Sequence, residues 1–191
     1  MRKNKKISAQ PTENYLEKIF IRFSGSFWLT TSIFLVFTIL LMVFYKPQIF
    51  SNPLEHDAFY YLIKALEFKN GHWQPLEFQS EGWSLFLAGF FKLFGISSFT
   101  AAMVWTRIIS LILMAFCIIP FSLIVKKISG KKFLLPALLI FSLGTTFIHN
   151  AAYGNTESLF LLLVLWAVYF MIRSFDSVKF LFYASAISAI A

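Results

Sequence analysis

The chain has 191 residues, of which 58% are hydrophobic and only 14% are charged. Soluble globular domains carry about 25% charged residues, and the apolar residues here lie in long blocks, close to the roughly 20 residues that a bilayer-spanning helix needs. The net charge of +8 gathers in short segments between those blocks, which is typical of cytoplasmic loops and speaks against nucleic-acid binding. We therefore predict an integral membrane protein.

The chain opens with a basic tail, residues 1–26, which precedes the first apolar block. Within the tail, apolar residues recur at helical spacing between charged ones, at positions 16, 19, 20 and 23. This pattern predicts a short amphipathic helix on the membrane surface, or else a cytoplasmic extension of the first span. Residues 27–44 form that span, and because no small-residue cleavage site follows, they should remain as a membrane anchor.

Residues 46–99 form a long outer loop that is rich in acidic and aromatic side chains. A helical pattern opens at Asp57, with Phe59, Leu62, Ile63 and Leu66 on one face and Asp57, Tyr60, Tyr61 and Lys64 on the other. We expect the apolar face to rest on the membrane, while the polar face presents a carboxylate, two phenols and an ammonium to a cavity. Residues 83–95 are apolar but too few to span, which predicts an interfacial or re-entrant helix.

Further apolar blocks follow at residues 103–125, 133–150 and 158–172. The middle one is interrupted by Pro136 and Gly144. A last block, residues 180–191, is too short to span, so we expect a truncated fifth span in a chain that belongs to a longer protein. The predicted fold is an all-α integral membrane protein, with a polytopic bundle of about five transmembrane helices over residues 27–191 and amphipathic interfacial helices in the outer loop.

Basic residues indicate the orientation of the bundle. If residues 83–95 do not cross the membrane, twelve of the seventeen Lys and Arg residues fall on one side, in the segments 1–26, 126–132 and 173–179. Loops rich in Lys and Arg stay in the cytoplasm. We therefore place the N-terminus in the cytoplasm and the 46–99 loop outside, in a multi-pass protein of the plasma or inner membrane.

Two carboxylates on the outer side are candidate catalytic groups. Asp57 is one of five acidic residues in the outer loop, and Glu157 stands directly before the fifteen-residue apolar block of the fourth span. An ionisable residue at such a depth tends to face a cavity. Either carboxylate can instead stabilise a helix start through the helix dipole. Their placement on the same side of the membrane is what favours a functional role.

Arg107 lies about one turn inside the second predicted span, near the same outer face. A guanidinium there suits the phosphate of a lipid, and the alternative is a side chain that reaches out to the interface. His56 can tune the neighbouring Asp57 or be an ordinary loop residue. The histidines have no metal-ligand spacing, so no metal site is predicted. No cofactor is implied, and participation of a divalent cation stays open.

The order of these features resembles a known superfamily. The resemblance lies in the segments LEHDAFYYLIKALEFKNGHW, QSEGWSLFLAGFFKLFGISSFTAAMVWTRIISLIL and AAYGNTESLFLLLVLWAVYFMIR. Over residues 27–191 the chain resembles the N-terminal half of the GT-C membrane glycosyltransferases, above all the protein-mannosyltransferase-like members of the family 39 type. Protein mannosyltransferases often have an Asp-Glu pair in the first loop. Here Ala58 follows Asp57, which leaves the acceptor open.

This resemblance implies an enzyme that takes a sugar from a polyprenyl-phosphate carrier, among membrane lipids, and passes it to a lipid, glycan or protein acceptor on the outer face. Transfer would invert the anomeric carbon. Asp57 matches the family's first-loop acid and would act as the base, Glu157 matches the second outer acid, and Arg107 would steady the lipid phosphate. The other candidate substrate-binding residues are His56, Tyr60, Tyr61 and Lys64.

Two other functional classes stay open. In a transporter or channel, Arg107 and Glu157 would line a pathway through the membrane. Transporters usually keep their outer loops short, whereas the first outer loop here covers residues 46–99, which favours an enzyme. The third class is a non-catalytic assembly partner.

Overall fold

The computed structural model describes residues 27–44, 54, 56–73 and 81–190, so the predictions for the tail at 1–26 lie outside the described residues. Within those ranges every element of regular secondary structure is a helix. The helices are α1 Phe27–Phe44, α2 His56–Lys69, α3 Gly82–Leu93, α4 Phe99–Phe116, α5 Ile118–Ile128, α6 Leu134–Ser142, α7 Thr145–Ala152, α8 Glu157–Ser174 and α9 Lys179–Ser188. A short 3₁₀ turn, Lys131–Phe133, precedes α6. The all-helical prediction is confirmed for this part of the chain.

Helices α4 and α5 form one apolar rod, Phe99–Ile128, which is long and apolar enough to cross a membrane. The helix is interrupted at Cys117, between α4 and α5. Pro120 explains the interruption, because proline lacks an N–H and its ring crowds the carbonyl four residues earlier. The rod begins four residues before the predicted start of the second span. Ser98 accounts for the difference, since its hydroxyl caps α4 by accepting a hydrogen bond from the backbone N–H of Ala101 at 3.2 Å.

Helix α8 is the second helix of spanning length, so the described part of the chain contains two. The 18 residues of α1 include the apolar stretch Phe27–Leu40. The predicted third span is not a continuous helix. It breaks at Gly144 into α6 and α7, which have 9 and 8 residues. Pro136 does not break α6, because it lies in the first turn, where the N–H groups have no acceptor within the helix.

The helices place the basic segments together at one end of the molecule. Lys126 Nζ lies over the Phe27 ring, 4.7 Å from its centroid, and Lys127 Nζ bonds Asp176 at 2.9 Å. These contacts join the start of α1 to the last turn of α5 and to the loop after α8. We call this the basic end, comprising residues 126–132 and 173–179. The start of α4 lies at the other end of the rod, about 45 Å away by helix geometry.

At the opposite end, α2 and α3 pack against each other and on the start of α4. Their shared core is apolar and buried, and it includes Ala58, Leu62, Ala65, Trp83, Leu87, Phe91 and Ala102. Ser84 on α3 also donates a hydrogen bond from its hydroxyl to the backbone carbonyl of Tyr61, at 3.1 Å. We call this region the loop end. It comprises residues 54, 56–73, 81–107 and 153–157.

The structure agrees with the predicted faces of α2 only in part. Phe59, expected to rest on the membrane, is 43% exposed, whereas Leu62 from the same predicted face is fully buried in the protein. Tyr61, expected to face a cavity, is only 9% exposed. Ala58 and Ala65 are fully buried, because their small side chains let α3 approach closely. Tyr61 therefore packs in the core between α2 and α3, where the sequence had predicted that it would face a cavity beside Asp57.

Candidate functional site

The centre of the loop end is the tight turn between α7 and α8, at residues 153–155. Gly154 in this turn has a φ of +82°, a conformation that residues with a side chain rarely adopt. A Cβ at this position would lie 3.1 Å from Thr106 Cγ2 and 3.3 Å from Leu54 Cδ2. The turn therefore touches both α4 and the segment that leads into α2. Glycine is needed here both for its backbone conformation and for the close approach of these neighbours.

Hydrogen bonds fix the turn to two helices. The indole Nε1 of Trp83 on α3 donates to the carbonyl of Gly154 at 3.3 Å. Ser110 Oγ on α4 lies 3.2 Å from the carbonyl of Asn155 and 2.9 Å from Ser158 Oγ. Because a hydroxyl has one proton and a carbonyl only accepts, Ser110 donates to Asn155 and accepts from Ser158. All these contacts are buried, so α3 and α4 hold the turn and the start of α8 in place.

Sequence reasoning missed the serine contacts and the role of Gly154. A signal was present in α4, where Ala102, Thr106 and Ser110 recur at every fourth position. Small residues at that spacing are typical of a close helix–helix interface in membranes. In the structure all three are buried, which is how α4 approaches the turn.

Arg107 lies deeper than predicted. Because α4 begins at Phe99, Arg107 is eight residues further on, about 12 Å along the helix rather than one turn. Its side chain is 1% exposed, and its Cγ lies 3.5 Å from the position that a Cβ would take at Gly154. The alternative in which Arg107 reaches out to the interface is therefore wrong. A buried guanidinium needs polar partners, and Arg107 does interact within the structure.

The two predicted catalytic carboxylates both lie at the loop end. Asp57 is in the first turn of α2 and Glu157 is the first residue of α8, and both side chains are exposed. Both helix starts favour a carboxylate electrostatically. Leu54 stands three positions before Asp57, and Gly154 stands three positions before Glu157. The contact between Leu54 and the Gly154 position therefore brings the starts of α2 and α8 close together.

The remaining predicted site residues on α2 are in different environments. Tyr60 is exposed, on the same side of the helix as Asp57. Lys64 pairs with Glu67 at 2.7 Å, and this hydrogen bond raises the pKa of the Lys64 ammonium above its ordinary value. Lys64 is thus engaged on its own helix. His56 begins α2, but its side chain lies outside the described residues.

A cleft of about 150 Å³ lies between α3 and α8. It is lined by Gly82, Trp83, Thr156, Leu159, Phe160, Leu163 and Ile190. Small-molecule sites commonly have volumes of about 300–1,000 Å³, and Asp57, Arg107 and Glu157 do not line this cleft. It is therefore not the predicted site. Within the described ranges, no group of three His, Cys, Asp or Glu residues is placed to hold a metal ion.

We predict that Gly154→Ala destabilises the protein more than Gly95→Ala does. Both glycines have positive φ, but no atom lies within 4 Å of a Cβ at Gly95. Gly95→Ala should cost about 1–2 kcal/mol for the backbone conformation, and Gly154→Ala about 2–4 kcal/mol because crowding is added. Reversible unfolding in detergent measures both, and equal losses would show that the turn is not tightly packed.

No protein-family model, curated protein or solved structure matches the chain.

Proposed function

We propose that the chain belongs to a polytopic membrane glycosyltransferase of the GT-C type, similar to the protein mannosyltransferases, which transfers a sugar from a polyprenyl-phosphate donor on the outer face. One observation carries the proposal. The exposed carboxylates of Asp57 and Glu157 and the buried guanidinium of Arg107 all lie at the loop end, around the turn that contains Gly154. This end is opposite the basic end.

The surface of α8 supports residence in a membrane. Only 11% of its residues are buried inside the protein, and most of its apolar side chains are half-buried or exposed. In water such a surface would be strongly unfavourable, whereas a bilayer accommodates it. The collection of lysines at the basic end supports a cytoplasmic location for that end, and with it an outer location for the loop end.

The chemistry assigns a step to each group. The acceptor oxygen attacks the anomeric carbon as the bond from that carbon to the phosphate oxygen breaks, and Asp57 takes the acceptor proton. The leaving lipid phosphate keeps the electron pair and its negative charge, which the positive charge of Arg107 stabilises. Attack opposite the leaving phosphate inverts the anomeric carbon. Glu157 orients the acceptor, and the exposed ring of Tyr60 stacks on the sugar.

A transporter is the second candidate, and two observations favour it. The helix break at Gly144, between α6 and α7, is the kind of discontinuity found at transporter binding sites. The burial of Arg107 inside the bundle is also typical of a pathway residue. The exposed positions of Asp57 and Glu157 at one end favour the transferase instead, because transporters bind their substrates near the membrane midplane.

Cysteine labelling tests the shared location of the two carboxylates. Single cysteines replace Asp57, Glu157 or Lys131 in a Cys117→Ala background, since Cys117 is the chain's one cysteine and is fully buried. A membrane-impermeant maleimide added outside should label positions 57 and 157. Position 131, at the basic end, should react only after permeabilisation. Labelling of 57 and 157 from opposite faces would remove the proposed active centre.

Product analysis separates the transferase from the transporter. The protein in vesicles is given a panel of polyprenyl-phosphate sugars with radiolabelled sugar. A transferase releases the unglycosylated lipid phosphate and moves the label to an acceptor, whereas a transporter moves a solute without cleaving the sugar–phosphate bond. Accumulation of a solute inside the vesicles with every donor intact would favour the transporter.

A further inference from the structure

A separate pocket lies at the basic end, between the last turns of α5 and α8. It has a volume of about 190 Å³ and is lined by Leu123, Lys126, Lys127, Tyr169 and Arg173. Three of these five residues are cations. The 30-residue rod Phe99–Ile128 separates this pocket from the loop end, so the proposed transferase chemistry makes no use of it.

A single carboxylate from the adjoining loop neutralises part of this charge. Asp176 accepts hydrogen bonds from Lys127 Nζ at 3.0 and 2.9 Å, and one of its oxygens lies 3.1 Å from Arg173 Nε. The hydrogen bond from Lys127 lowers the pKa of the Asp176 carboxyl, so the group is charged at neutral pH. Lys126 lies instead over the Phe27 ring. Three cations facing one carboxylate leave the pocket with an excess of positive charge.

The polar groups in the pocket lining are hydrogen-bond donors. Arg173 Nη1 donates to the Tyr169 hydroxyl at 3.2 Å, so the phenol, which accepts there, keeps its own proton to donate. The ammonium, guanidinium and phenol groups can all donate hydrogen bonds to the oxygens of a phosphate. Hydrogen bonds between charged groups are stronger than those between neutral groups. The pocket is thus suited to a phosphate anion.

Apolar side chains around the pocket distinguish a lipid phosphate from a soluble one. Leu123, one turn before Lys126 and Lys127, lines the pocket on the side toward the middle of the rod. Phe116, seven residues before Leu123 and therefore on the same face of the rod, is 47% exposed. A ligand whose phosphate occupies the pocket would therefore have apolar surface beside it for acyl chains.

We propose that this pocket binds the headgroup phosphate of an anionic phospholipid in the cytoplasmic leaflet, with the acyl chains lying along α5 and α8. Basic pockets between helices on the cytoplasmic side bind such headgroups. The inference rests on the membrane placement proposed above and is independent of the transferase activity. The bound lipid would hold the ends of α5 and α8 together through Lys126 and Arg173.

Native mass spectrometry of the full chain in detergent tests the proposal. Phosphatidylglycerol and the zwitterionic phosphatidylcholine are titrated separately, and bound lipid is counted. The variant Lys126→Gln/Arg173→Gln removes two charges from the pocket and keeps the pair of Lys127 with Asp176. The control Lys131→Gln/Lys132→Gln removes two charges from the same basic end outside the pocket lining.

We expect phosphatidylglycerol to bind in preference to phosphatidylcholine, and the pocket variant to bind it on the order of thirtyfold more weakly, because each basic residue near a lipid surface contributes about fivefold. The control should change by less than about threefold, since its two lysines lie outside the pocket lining and salt screens them from the bound phosphate, and inorganic phosphate should not compete. Equal losses in the two variants, no preference between lipids, or competition by inorganic phosphate would each overturn the proposal. A chain that binds the lipid but labels at 57 and 157 from opposite faces would contradict the transferase alone.

Discussion

The Asp57→Asn variant should lose sugar transfer by about 10²–10⁴-fold, which is the usual contribution of a positioned general base. Asparagine has nearly the same shape as aspartate but does not take up a proton from the acceptor. It is also well tolerated at a helix start, and the Asp57 side chain is exposed, so α2 should keep its packing on α3. Initial rates with a polyprenyl-phosphate sugar, normalised to inserted protein, measure the effect.

Glu67→Gln provides the matched control for that variant. Glu67 lies on the same helix, and the charge change is identical, but its ion-pair partner is Lys64 on α2. Its rate should stay within about twofold of the wild type, since ion pairs between neighbouring turns of one helix contribute little. Normal transfer by Asp57→Asn would remove Asp57 from the mechanism, and an equal loss in Glu67→Gln would point to a general effect of charge at the loop end.

The helices could be predicted well where the apolar block is continuous. Helix α1 begins and ends at the predicted residues, α3 covers Gly82–Leu93 against a predicted 83–95, and α8 covers Glu157–Ser174 against a predicted 158–172. In each case the signal is local, because the length of an apolar block and the polar residues at its ends are both visible in the sequence.

The sequence was less informative where the burial of a side chain depends on a contact with a residue far away in the chain. The buried side of α2 is set by Ala58 and Ala65, and these are informative only once α3 is known to pack there. The depth of Arg107 depends on the cap at Ser98, and its burial depends on the turn at Gly154, 47 residues later in the chain. A pattern of hydrophobicity contains neither of these contacts.

The Arg107→Met variant should reduce kcat/KM for the lipid donor by about 10- to 100-fold, and reduce it for the acceptor much less. Hydrogen bonds to charged groups contribute about 1.5–3 kcal/mol each, and only the donor brings a phosphate. Methionine keeps most of the apolar volume beside Thr106 and the Gly154 turn, so the packing that buries the Arg107 side chain to 1% exposure is largely preserved. Varying one substrate at saturating concentration of the other separates the two effects.

Arg107→Lys distinguishes a phosphate ligand from a packing residue. Lysine keeps the positive charge on a shorter side chain with fewer donors, so it should restore part of the donor kcat/KM that methionine loses. Lysine should not restore the thermal stability, because buried groups that bind a guanidinium are arranged for its planar set of N–H donors. If both variants lowered donor and acceptor kcat/KM equally, in proportion to their loss of thermal stability, Arg107 would act only by holding α4 against the turn. The leaving phosphate would then need another cation, and among the described residues of the loop end only Lys64, Lys69 and Lys92 could supply one.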